Sequence, residues 1–116
     1  MKVLVLPEVR QYLKEVAHML YQEDYFGFEE TAIKYVEDLF DDIKTTLPAR
    51  QKRIAPSYFN RYGNRMYYSI FKKSKYTQWY VFFSVYGKVG GELIYLVRYI
   101  SNNHLIAHHF NPNDAE

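Results

Sequence analysis

Three residue types in the second half of this chain suit work on a phosphate group: arginine, tyrosine and histidine. Arg98 sits in ELIYLVRYISNNHLIAHHF, residues Glu92 to Phe110, as the one cation in a run of aliphatics and tyrosines that reads as a strand. On that strand Arg98 alternates with Ile94, Leu96 and Ile100, while Leu93, Tyr95, Val97 and Tyr99 line the other side. If its side meets packed helices, Arg98 needs a carboxylate partner. If its side is open, its planar fork can contact a phosphate. Both readings stand on the sequence. His104, His108 and His109 follow the strand. An imidazole titrates near physiological pH, so each can give or take a proton, and each can equally be a solvated side chain in a tail. Their spacing is a weak metal signal with no carboxylate cluster beside it, and no metal or other cofactor is expected. Asn102 and Asn103 read as turn residues.

The tyrosines need a reason of their own, for the chain holds 13 of them beside 8 phenylalanines in 116 residues. Cross-strand ring pairs account for Tyr67, Tyr68, Tyr80, Tyr86 and Tyr95 taken singly. As a set, rings among basic residues suit the stacking of unpaired bases. The charge distribution points the same way. Residues 8–46 hold ten acids and four bases, a net of −6, whereas residues 47–110 hold ten bases against Glu92 alone, a net of +9. The overall +2 hides this asymmetry. It suggests either an anionic partner for the second half or attraction between the halves on folding.

Several classes lack their parts. There is no G-x-S-x-G, no H-E-x-x-H and no phosphate-cradling glycine loop, and Gly87, Gly90 and Gly91 fall between expected strands as a hairpin connection. With no cysteine, disulfides and thiolate chemistry are excluded. Val3–Leu6 is too short for a signal-peptide core and no apolar run reaches membrane-spanning length, so a cytoplasmic protein without membrane contact is expected. The length suits one domain burying roughly two thirds of its unfolded surface.

The elements that must position these residues follow from hydrophobic period. Lys2–Leu6 reads as a short buried strand. Pro7 suits the first turn of a helix, and Val9, Tyr12, Leu13, Val16, Ala17 and Leu20 then form one stripe. A break at 23–27 precedes a second helix from about Phe28 to Thr46. Its stripe is Ala32, Ile33, Val36, Leu39, Phe40, Ile43 and Leu47, and Pro48 stops it. The short link favours an antiparallel hairpin. Residues 48–64 show no clean period and read as a long basic connection. Strands at Arg65–Lys72, Gln78–Tyr86 and Glu92–Ile100, with short polar links, should form a meander. The expected fold is α+β: an N-terminal strand, an antiparallel helical hairpin, then a three-stranded antiparallel meander, with the helices on one face of the sheet and the other face open or partly covered. One domain over 1–110 and a disordered polar tail over 111–116 are expected.

That order of elements resembles the RelE/ParE superfamily, the toxins of type II toxin–antitoxin pairs, over nearly the whole chain from Lys2 to about His109. Gly63-Asn64-Arg65-Met66-Tyr67-Tyr68 matches the family's Gly-x-Arg-apolar-apolar-Tyr pattern in letters. Aligned by strand order, the family's arginine falls instead near Tyr80, and the base after its last strand near Asn102 or Asn103. The resemblance implies a toxin that inhibits translation as a ribosome-dependent mRNA endonuclease. Its partners would be the ribosome, mRNA and a cognate antitoxin. Arg65 and Arg98 would then stabilise the phosphate transition state, and His104 or His108 would move a proton. Lys52, Arg53, Arg61, Lys72, Lys73 and Tyr80 would hold the RNA. The family also implies two alternatives: a ParE-like inhibitor of DNA gyrase with no nuclease site, and a toxin-fold binding protein with no catalysis.

Overall fold

A computed structural model describes residues 1–23, 27–75, 77–87 and 90–103. The expectations placed on His104, His108 and His109, and on the tail from 111 to 116, lie outside the described residues. Helix α1 spans Pro7–Gln22 and starts where proline costs no hydrogen bond. Helix α2 spans Glu29–Thr46, with Glu29 and Glu30 at its positive end and Lys44 in its last turn. Their buried residues are Val9, Leu13, Val16 and Ala17 on α1, and Ala32, Val36, Leu39 and Ile43 on α2. Steps of three and four in each set place one apolar stripe per helix against the sheet.

The sheet has five strands in the order β1-β5-β4-β3-β2: β1 Lys2–Val5, β2 Arg53–Ile54, β3 Tyr67–Lys72, β4 Gln78–Gly87 and β5 Leu93–Asn102. The expected meander is β3-β4-β5, antiparallel throughout. The first strand runs parallel to the last, with Val3 opposite Tyr95 and Val5 opposite Val97. Lys44 reaches from α2 to donate to the Val3 carbonyl oxygen at 2.7 Å, which blunts one point on the edge of β1. The fold class is α+β. Val3, Phe71, Trp79, Val81, Phe83, Tyr95, Val97 and Ile100 meet the two helix stripes in the main core. The Trp79 indole N–H donates to the Tyr35 hydroxyl of α2 at 3.0 Å, so the one tryptophan has a polar partner within this core.

Two features depart from the sequence reading. Residues 48–64, expected to be aperiodic, contribute the fifth strand β2 and a 3-10 helix, Ser57–Tyr62. Two and six residues are too few to show a period, which is why neither was visible. The 3-10 helix drops Phe59, fully buried, onto the sheet face away from α1 and α2, where it joins Met66, Tyr68 and Phe82 in a second small core. Strict alternation along β5 also fails. Phe82 pairs with Tyr99 but Phe83 pairs with Val97, so Arg98 is the extra residue of a β-bulge. Beyond the bulge the phase is reversed. Ile100, expected to share a face with Arg98, enters the main core, while Tyr99 joins Arg98 on the far face.

Candidate nucleic-acid interface

The bulge decides where Arg98 points. It lies on the sheet face away from the main core, and no described helix carboxylate pairs with it. Its Nε donates to Ser84 Oγ at 2.9 Å and its Nη2 to the Tyr86 hydroxyl at 2.6 Å. Both partners sit on the neighbouring strand, at successive far-face positions of β4. Nη1 takes part in neither bond. The Gly63 backbone packs against the arginine stem: a Cβ on Gly63 would lie 2.7 Å from Arg98 Cδ and 3.0 Å from Met66 Sδ. Glycine is needed here for closeness of approach.

Beside Arg98 the rings build a stack. Tyr62, the last residue of the 3-10 helix, lies parallel to Tyr99 with ring centroids 3.8 Å apart and planes 5° off. Phe59 stacks on Phe82 at 4.3 Å. Burial pushes the Tyr99 hydroxyl up to about 12, helped by its hydrogen bond with Tyr62, so it stays a neutral hydrogen-bonding group at ordinary pH. Tyr86 moves the other way. The hydrogen bond from Arg98, then one with Ser84, lowers it from the usual phenol value. Between this stack and the start of α1 lies a cleft of about 440 Å³, lined by Leu6, Glu8, Val9, Tyr12, Arg61, Tyr62, Arg98, Tyr99 and Ile100.

The expected site residues divide between the two sides. Arg61 lies on the 3-10 helix, exposed, its guanidinium 4.0 Å over the Tyr58 ring and its Nε donating to the Tyr58 carbonyl at 3.1 Å. Arg53 stands opposite Tyr68 in register, and Tyr80 packs edge-on to Tyr68 at 5.9 Å. Lys72 pairs with Gln78 on the same face by alternation and is exposed. These four share the face of Arg98. Lys52 and Lys73 do not: Lys52 lies 5.4 Å over Tyr67 and Lys73 5.4 Å over Tyr35, two rings packed on the helix-side core. Arg65 occupies the turn entering β3 with φ of 53°, a left-handed conformation that costs a non-glycine residue roughly 1–2 kcal/mol. No hydrogen bond joins Arg65 to Arg98 among the described residues.

Arg50 is neutralised from within: it pairs with Asp42 at 2.9 Å, donates to the Ile70 carbonyl at 3.2 Å and stacks 3.8 Å from the Phe71 ring. A second ion pair among the described residues, Lys34–Asp38, is internal to α2. Among the described residues, none of Arg53, Arg61, Arg65, Lys72 and Arg98 has a carboxylate within ion-pair distance. No group of three or more His, Cys, Asp or Glu side chains suited to a metal occurs among the described residues, and no helix there is long and apolar enough to cross a membrane. No family model, curated protein or solved structure matches the chain.

Sequence reasoning missed the supporting cast. Ser84 interrupts an otherwise apolar run on β4, which was a usable sign of a polar partner. Gly63 was visible in the quoted pattern but not as the seat of Arg98. The Tyr62–Tyr99 stack had no local signal, because its rings are 37 residues apart in the chain and meet only through the 3-10 helix.

Proposed function

We propose that this protein is a toxin of the RelE/ParE kind that acts on translation, holding a single RNA strand on the sheet face opposite α1 and α2. One observation carries the reading: arginines without carboxylate partners share that face with stacked tyrosines. Exposed guanidinium groups beside rings suit a flexible polyanion whose bases can unstack. The chain order of strand, two helices and a three-stranded meander is the feature on which the resemblance to that family rests.

In this reading the RNA 2′-hydroxyl attacks the adjacent phosphorus. The 2′-O–P bond forms, the P–O5′ bond breaks, and the products are a 2′,3′-cyclic phosphate and a 5′-hydroxyl end. Arg98 offers its remaining N–H groups to the extra negative charge on the phosphorane, already aimed by Ser84 and Tyr86. A proton must leave the 2′-oxygen and one must reach the 5′-oxygen. His104 or His108 takes that work. Tyr86, half-exposed and 2.6 Å from Arg98, is the described group beside Arg98 able to share it. A cognate antitoxin would cover this face and neutralise it.

Purified protein added to translating ribosomes, with a defined mRNA read by primer extension, tests the proposal. New 5′ ends that require ribosomes are expected. Intact mRNA together with lost gyrase supercoiling would replace the reading with gyrase inhibition. Neither effect would leave a binding protein without catalysis.

A further inference from the structure

Between α1 and α2 runs a groove of about 570 Å³ that shares no lining residue with the cleft beside Arg98. The short link between the helices, and Arg10 lying 5.2 Å over the Phe40 ring, set the start of α1 beside the end of α2. The two walls carry opposite charge. Arg10, Lys14 and His18 line the groove from α1, and Glu29, Glu37 and Asp41 line it from α2. Residues four apart lie on one helix face, so each set forms a row along its helix. All six are exposed. Among the described residues no ion pair joins one row to the other. The floor between them is apolar: Leu13, Ala17 and Val36 are buried, while Ile33 is 41% exposed.

We infer that this groove is the interface of a twofold homodimer, in which α1 of each copy lies against α2 of the other. A twofold interface is isologous: where residue i meets residue j, j also meets i. With the axis along the helices, the basic row of one copy comes over the acidic row of its partner. With the axis across the helices, like rows would meet, and repulsion rejects that arrangement. The antiparallel order of the helices makes the levels agree. Arg10 meets Asp41 of the partner subunit, Lys14 meets Glu37 of the partner subunit one turn further along, and symmetry repeats both pairs. Ile33 of each copy covers apolar floor of the other. A foreign protein would need an acidic and a basic row at this spacing, whereas a second copy of this chain already has both. The sheet face that carries Arg98 lies on the other side from the helices in each copy, so the inference does not depend on the RNA reading.

Sedimentation velocity of the full chain over a range of concentrations tests it. The parent should pass from monomer to dimer as concentration rises, and the dimer should weaken as salt screens its ion pairs. Arg10→Glu with Lys14→Glu makes both rows acidic, and Glu37→Lys with Asp41→Lys makes both rows basic. Each double variant should weaken self-association by about a hundredfold or more. Mixed in equal amounts, the two should dimerise together at close to the parental affinity, because every acidic row then meets a basic one. A variant that had merely lost its fold would not be rescued in this way. All four positions are exposed, and acids toward the start of α1 and bases toward the end of α2 suit the helix dipoles, so both variants should fold. A parent that stays monomeric at every concentration would overturn the inference and leave the groove to a different protein. A dimer untouched by either charge reversal would overturn it too, as would two variants that remain monomeric when mixed.

Discussion

Two arginines on opposite faces of one sheet show how differently the same residue type is used. Arg50 belongs to the helix side. Asp42 neutralises it, the Ile70 carbonyl accepts from it and the Phe71 ring lies under it. Arg98 belongs to the far side, where two hydroxyls orient it and no described carboxylate neutralises it. The faces differ in the same way. Both bury phenylalanine completely, Phe71 and Phe83 on one and Phe59 and Phe82 on the other. Two long helices cover the first face, and a six-residue 3-10 helix covers part of the second. A hydroxyl partner holds a guanidinium in place without cancelling its charge, so it leaves the group able to act on an anion. A carboxylate partner makes the same group structural.

The largest expected effect asks whether the small far-side core folds as one unit with the main core. Phe59→Ala and Phe83→Ala should each cost about 3–5 kcal/mol in urea unfolding. A Phe59→Ala cost well under that of Phe83→Ala would mean that the 3-10 helix opens independently, and the far face would then be less enclosed than its geometry implies. Next, Arg98→Ala should lower ribosome-dependent mRNA cleavage by roughly a hundredfold or more, with a urea midpoint close to that of the parent. Unchanged cleavage would remove Arg98 from the reaction.

Arg50→Ala should show the opposite pattern. Losing it leaves the half-buried Asp42 carboxylate without its partner, a cost of about 1–3 kcal/mol, and cleavage by the folded fraction should stay at the parental level. If Arg50→Ala harmed cleavage more than stability, the contrast between the two arginines would fail. The smallest effect is a pH dependence. Tyr99 is neutral when protonated and its value is raised in the folded state, from 10.0 to about 12. The folded protein therefore holds a proton that the unfolded chain has released between those values. Its contribution to stability is complete below pH 10 and is lost as pH rises toward 12. Urea midpoints across that window should decline, and the decline should flatten in Tyr99→Phe.

Much of the fold was legible because its elements are long and regular. The stripes through Val9, Leu13 and Val16, and through Ala32, Val36, Leu39 and Ile43, repeat at helical spacing over several turns, so both helices could be read directly. The meander was legible from alternation and short polar links. The site was legible only as composition. Arg53, Arg61, Tyr80 and Arg98 could be named as candidates, but nothing local separated them from Lys52 and Lys73, which lie over rings of the helix-side core. A single inserted residue at the Phe82/Phe83 register shift explains the hardest error. Alternation assumes a period of two, and one bulge moves every later side chain to the other face.

Residue order alone determined the α+β class, the helical pair and the uneven distribution of charge, since these depend on period, breaker residues and composition along short windows. Tertiary structure decided which face each arginine meets, which of them finds an acid and which rings stack. Those outcomes depend on a bulge, a 3-10 helix and a glycine contact that bring together residues far apart in the chain, and no local window of sequence contains that information.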